Sequence, residues 1–184
     1  MSRVILSVLG QDRPGILAAV SGVLYRKNGN IENVSQTTLQ TQFAGIFIAS
    51  VPETVSLAEL TAALEKALGP LGMNVHVDPL DLSAEAVPPV KSEPFVITTK
   101  GPDRRGLVAE ITAIIARYNV NITNLQAIFK GGENPGDNIM IYEVDIPADT
   151  SRQSLHRELR DKAAALALDI SIQHRNIFMT LHRI

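Results

Sequence analysis

The stretch Gly10-Gln11-Asp12-Arg13-Pro14-Gly15 returns 91 positions later as Gly101-Pro102-Asp103-Arg104-Arg105-Gly106. Asn28-Gly29-Asn30-Ile31-Glu32-Asn33 returns at the same displacement as Asn119-Val120-Asn121-Ile122-Thr123-Asn124. Between the two motifs the apolar stripe repeats without a gap, Ile16, Leu17, Val20, Val23 and Leu24 falling on Leu107, Val108, Ile111, Ile114 and Ile115. A recurrence that keeps turn residues and helical stripe in register confines the chain to two copies of one folding unit. Each copy has about 90 residues, enough for a core of its own.

Within the first copy, Val4, Leu6 and Val8 alternate with Ile5 as a strand ending at Gly10. Pro14 suits the first turn of the helix that follows, which should close near Asn28-Gly29. The β-rich run from Ile31 to Gln40 and the run from Gly45 to Val51 predict a hairpin turning across Thr41 to Ala44. Leu57, Leu60, Leu64, Leu68 and Leu71 form a second stripe, stopped by Gly69-Pro70 and Gly72 before a strand with Val75 and Val77. The second copy repeats the order: Phe95 to Thr99, a helix from about Arg104 to Tyr118, Ile122 to Phe129, Ile139 to Ile146, a helix with Leu155, Leu159, Ala163 and Leu166, and Ile170 to Gln173. Its hairpin carries four extra residues, placed in 130–138, because Pro52 and Pro147 lie 95 apart. The order βαββαβ predicts an α+β protein of two ferredoxin-like modules, antiparallel sheets with the helices on one face. The expected organisation is a module over 1–79, a proline-rich linker over 80–93, and a module over 94–184 with an apolar C-terminal extension from Asn176 to Ile184. The second sheet face needs a cover, which a module pair or a homodimer would supply.

Composition narrows the function. A net charge of −2 and an aromatic content of 4% without Trp give neither the basic face nor the stacking platform of a nucleic-acid binder. No cysteine is present, which removes disulfides and thiolate chemistry and suits the cytoplasm. The apolar run at the start is too short for an export signal, and no stretch approaches the ~20 apolar residues of a membrane span. His76, His156, His174 and His182 form no metal-ligand spacing, and no nucleophile is paired with a base, so neither a metal, a cofactor nor an enzyme is implied. Arg152, Arg157, Arg160 and Lys162, interleaved with Asp149, Glu158 and Asp161, read as a salt-bridged solvent face.

The chemistry concentrates in the repeated turn. A strand running into a helix N-terminus leaves backbone N–H groups free for an anion such as a carboxylate. Asp12 adds an opposite charge for an ammonium, and Asn30 an amide that both donates and accepts. This polarity is that of a free amino acid. The candidate ligand residues are Gly10, Gln11, Asp12, Arg13, Pro14, Gly15 and Asn30, with Gly101, Asp103, Arg104, Gly106 and Asn121 as the second set. A structural account competes: glycines that permit the turn, Asp that caps the helix and Asn-Gly that closes it. Arg105 in place of Pro14 sets a cation at a helix N-terminus, so the two sites need not be equivalent.

Asp-Arg-Pro-Gly at the first strand-to-helix turn and Asn-x-Asn-Ile at the start of the second strand resemble the ACT domain, a small regulatory module that binds amino acids. The resemblance spans 3–78 and 94–175. Two such modules without a catalytic domain, ending in Gln173-His174-Arg175-Asn176-Ile177-Phe178, are most similar to the glycine cleavage system transcriptional repressor group. It implies a sensor of a small amino acid, glycine for example, that modulates a transcriptional regulator by protein contact, without direct nucleic-acid or membrane binding, as a homodimer. The alternative it leaves is a free-standing ACT protein regulating a metabolic enzyme in trans. Gly10 and Gly101 stand where serine-sensing ACT domains have a histidine, so that contact is absent.

Overall fold

The computed structural model describes residues 1–80, 91–128 and 138–181, with side chains described to residue 178. The chain divides into two compact units, Met1–Pro88 and Pro89–Ile184. In the first, β1 (Ser2–Gln11), α1 (Ile16–Arg26), β2 (Asn30–Leu39), β3 (Gln42–Val51), α2 (Leu57–Leu68) and β4 (Met73–Pro79) build an antiparallel sheet ordered β2-β3-β1-β4. The second repeats it with β5 (Ser92–Gly101), α3 (Leu107–Arg117), β6 (Asn121–Ile128), β7 (Asn138–Pro147), α4 (Arg152–Ala165) and β8 (Asp169–His174), ordered β6-β7-β5-β8. Both are ferredoxin-like, as the periodicities predict.

Each core lies between one sheet face and its helix pair. Val4, Leu6 and Val8 of β1 and Phe47 and Ala49 of β3 meet Val20, Val23 and Leu24 of α1 and Leu60, Leu64 and Leu68 of α2. In the second unit Ile97, Tyr142, Val144 and Ile146 meet Ile111, Ile114 and Ile115 of α3 and Leu155 and Leu159 of α4. Such aliphatic side chains contribute about 1.5–3 kcal/mol each when taken fully from water. Helix α2 begins with a reciprocal cap: the Glu59 amide donates to Ser56 Oγ at 3.2 Å, while the Ser56 amide donates to Glu59 Oε2 at 3.1 Å. Helices α1 and α3 end on Asn28 and Asn119, at φ 54° and 53°, left-handed positions that Asn tolerates better than most residues.

Four local expectations are revised. Pro14 lies before α1 rather than in its first turn, because Gly15, at φ 99°, is the residue that opens the helix. Gly106, at φ 89°, likewise starts α3 at Leu107 instead of about Arg104. The first hairpin turns on Gln40 and Thr41 alone, since Gln42, Phe43 and Ala44 already pair with Leu39, Thr38 and Thr37. Strand β5 takes in Ser92, Glu93 and Pro94, residues whose proline reads as linker in sequence. Pro94 lies one residue beyond Phe95, the last partner of β8, so no ladder donor is needed on that side. Residues 81–90, which hold most of the expected linker, the insertion over 129–137, and His182 to Ile184 lie outside the described residues.

The C-terminal extension forms α5 (Arg175–Leu181). It lies against β5 and β8, and its Phe178 borders a cleft with Thr98, Ile139 and Ile141, on the sheet face turned away from α3 and α4. Val96 is buried on that face. On the corresponding face of the first sheet, Leu9 and Ile46 are 54% and 53% exposed. The ion pairs of α4 reach other elements rather than running along the helix: Arg152 binds Glu93 at 2.6 Å, Lys162 binds Glu110 at 2.8 Å, and Glu158 binds Arg117.

Candidate functional site

Strand β1 runs into α1 through the turn 10–15. Gly10 faces Phe43 across β3 and Met73 across β4. A Cβ there would stand 2.7 Å from Met73 Sδ and 2.8 Å from the Gly72 carbonyl oxygen, so the position excludes any side chain. A Cβ on Gly101 would meet the same obstruction, 2.7 Å from Leu168 Cδ2 and 2.8 Å from the Ala167 carbonyl oxygen. Gly15 and Gly106 are required for another reason, their positive φ, and nothing lies within 4 Å of where their Cβ would be.

Neither aspartate caps its helix. Among the described residues no side chain caps α1 or α3, each of which opens on its glycine. The Asp12 amide donates to the Thr41 carbonyl at 2.8 Å, and its carboxylate receives a long 3.4 Å bond from Thr38 Oγ1. Asp103 Oδ1 accepts from Asn138 Nδ2 at 3.2 Å. The open helix ends and adjacent carboxylates are therefore not consumed by local capping. Arg13 donates to Gln11 Oε1 at 3.2 Å, while Arg104 and Arg105 are exposed. An open cleft of about 410 Å³ lies at the first turn, bordered by Asp12, Pro14, Leu17, Gln36, Thr38 and Phe43.

Asn30 and Asn121 lie elsewhere. Asn30 pairs with Ser50, which pairs with Arg3, whereas the turn begins at Gly10. Seven steps of about 3.3 Å put roughly 23 Å of strand between the two ends of the sheet. Asn121 pairs with Asp145, which pairs with Pro94, again seven residues from Gly101. Within one module the turn and the amide cannot touch the same small molecule. Asn121 instead borders a cleft of about 610 Å³ with Arg117, Asn119, Asp145, Asp149 and Thr150. No group of acidic, His or Cys residues suited to a metal ion occurs among the described residues.

Two histidines of the second module pack. Rings of His156 and His174 meet Phe95 edge-on at centroid distances of 6.1 and 5.4 Å, and the Arg152 guanidinium stands over the same ring at 5.6 Å. Burial, reinforced by Arg160 and Arg152, pushes the His156 imidazole below the usual histidine range. The hydrogen bond from Arg152 holds the Glu93 carboxyl below its ordinary value. Sequence reasoning missed Asn138. It lies at the end of the enlarged hairpin, where the 91-residue displacement breaks to 95, so its correspondence to Phe43 shows only in strand register.

Comparison with known proteins follows the same division of the chain. Residues 4–69 and residues 93–173 each match the ACT domain. A UPF0237 protein of Methanopyrus kandleri is 42% identical over 83 residues, 45% of this chain and 92% of that relative. Among solved structures, an unknown protein from Galdieria sulphuraria aligns with a TM-score of 0.77 at 24% identity, covering 94% of this chain and 98% of its own. A protein provisionally named a glycine cleavage system transcriptional repressor aligns with a TM-score of 0.68 at 15% identity, covering 94% and 96%. At these identities the two structures bear on fold alone.

Proposed function

Because the chain belongs to the ACT-domain family, with two ACT domains in tandem, we propose that it is an amino-acid-responsive regulatory protein. It binds a small amino acid, glycine being the simplest, at the turns 10–15 and 101–106, with Asn30 and Asn121 as the opposing amides. The observation that carries this reading is the pair of helix N-termini opened by glycine, each with an aspartate beside it that does not cap the helix. Such a helix end offers donors to a carboxylate, and the neighbouring Asp offers an acceptor to an ammonium. Since turn and amide lie at opposite ends of each sheet, one ligand spans the turn of one module and the strand start of a module in a second copy of the chain. A homodimer supplies that pairing.

The output is contact with another protein, a transcriptional regulator. The net charge of −2 leaves no phosphate-neutralising face, so a partner makes the DNA contact. Glycine has five non-hydrogen atoms, and at a ceiling of ~1.5 kcal/mol per atom its affinity is limited to about −7.5 kcal/mol, a micromolar Kd at best. The test is isothermal titration of the whole chain with each of the twenty amino acids. At least one binds in the micromolar to millimolar range, and Asp12→Ala with Asp103→Ala, or Asn30→Ala with Asn121→Ala, weakens it while thermal melting stays cooperative. Unchanged binding in both double variants refutes the site. A salt-sensitive, saturable shift of promoter DNA by this chain alone refutes the indirect output.

A further inference from the structure

The two turns repeat in sequence yet differ in what stands opposite their first glycine. Gly10 faces Phe43, whose buried ring walls the first cleft beside Ile16, Leu17 and Ala18. Gly101 faces Asn138, a polar side chain in the same register position and only 6% exposed. Asn138 Nδ2 donates to Asp103 Oδ1, while Asn138 Oδ1, closed off from solvent, has no hydrogen-bond donor among the described residues. A buried carbonyl oxygen without a donor is costly, and native structures rarely leave one without a reason. Its amide nitrogen is already committed to the turn aspartate, so the oxygen of Asn138 is the acceptor left without a donor among the described residues, beside the exposed Asp103 carboxylate.

From this we infer that the second module, not the first, receives the ligand's ammonium group, held between the Asp103 carboxylate and the carbonyl oxygen of Asn138. The inference rests on the amino-acid-binding reading above and gives it a side. An ammonium carries three N–H donors on one centre and serves both groups at once, taking the place of the direct Asn138–Asp103 bond as the turn opens. Admitting it requires the turn to move outward from Asn138. At the first turn the same register position holds Phe43, and among the described residues Asp12 has only the exposed Thr38 hydroxyl as a side-chain partner. That turn presents an apolar wall, which favours a hydrocarbon side chain over an ammonium.

The experiment is a titration of the 15N-labelled whole chain with glycine, and with acetate as the same molecule lacking the ammonium. Glycine shifts the backbone amides of Asp103 and Gly106 more than those of Asp12 and Gly15, and acetate does not reproduce the pattern. Asn138→Leu, close to Asn in shape but without its polar atoms, raises the glycine Kd at least tenfold. Asn138→Ser, which cannot reach Asp103 in the same way, does the same and serves if the leucine variant fails to fold. Glycine binding that is equal at both turns, or that survives both Asn138 substitutions, overturns the inference while leaving the binding function intact. If the wild-type chain binds none of the twenty amino acids, the function and the inference fall together.

Discussion

Four glycines of the duplicated turn are required for two different reasons, and substitution separates them. At Gly15, φ is 99° and the surrounding space is open, so an added Cβ pays only for backbone conformation. A left-handed residue other than glycine costs roughly 1–2 kcal/mol, less for Asn, which visits this region more readily than Ala. At Gly10 the penalty is steric: a Cβ would lie 2.8 Å from the Gly72 carbonyl oxygen, which cannot rotate away, and 2.7 Å from Met73 Sδ. Overpacking of this kind costs about 1–3 kcal/mol and grows with side-chain size. For a unit of about 90 residues, each kcal/mol moves the melting temperature by about 4–8 °C. Melting followed by circular dichroism should therefore show Gly15→Asn above Gly15→Ala, but Gly10→Ala above Gly10→Asn. Gly22, inside α1 with only the flexible end of Arg26 near where its Cβ would stand, is the control, and Gly22→Ala should melt at or above wild type. The same rank order of Ala and Asn at Gly10 and Gly15 would refute the distinction between shape and strain.

Two further outcomes test the scaffold. Ser56→Ala removes the reciprocal cap of α2 and should cost about 0.5–2 kcal/mol in urea unfolding, with an unchanged slope against denaturant. His156 has a folded-state affinity for protons below that of the unfolded chain, so between the two values the unfolded state binds more protons. Its contribution to stability is present above the ordinary histidine value of about 6.5 and is lost as pH falls through the lower folded value. Replacing it with Phe should flatten the stability profile just below pH 6.5, and a profile identical to wild type would exclude its role.

How much of this was legible before folding depends on the range of the interaction. The stripe Ile16, Val20, Val23 and Leu24 and its copy Leu107, Ile111, Ile114 and Ile115 specify helices that bury one face, because side-chain periodicity is a local property of the backbone. Glycine, Asn and Pro mark turns for equally local reasons, and the 91-residue recurrence therefore determined the order, class and duplication of the modules. Where a helix begins was already less secure, since Gly15 and Gly106 open theirs by adopting a positive φ that composition does not announce. Which residues meet was decided by strand register and packing. Only the sheet places Asn138 opposite Gly101, sends Asn30 to the far end from Asp12, directs Lys162 to Glu110 on another helix, and lays α5 across the outer face of the second sheet. These pairings join positions far apart in the chain, and a register is stable only when every apolar residue of both strands finds the same face together. That condition belongs to the assembled core, so the sequence carries the candidate chemistry of the two turns while the tertiary structure sets what stands across from each.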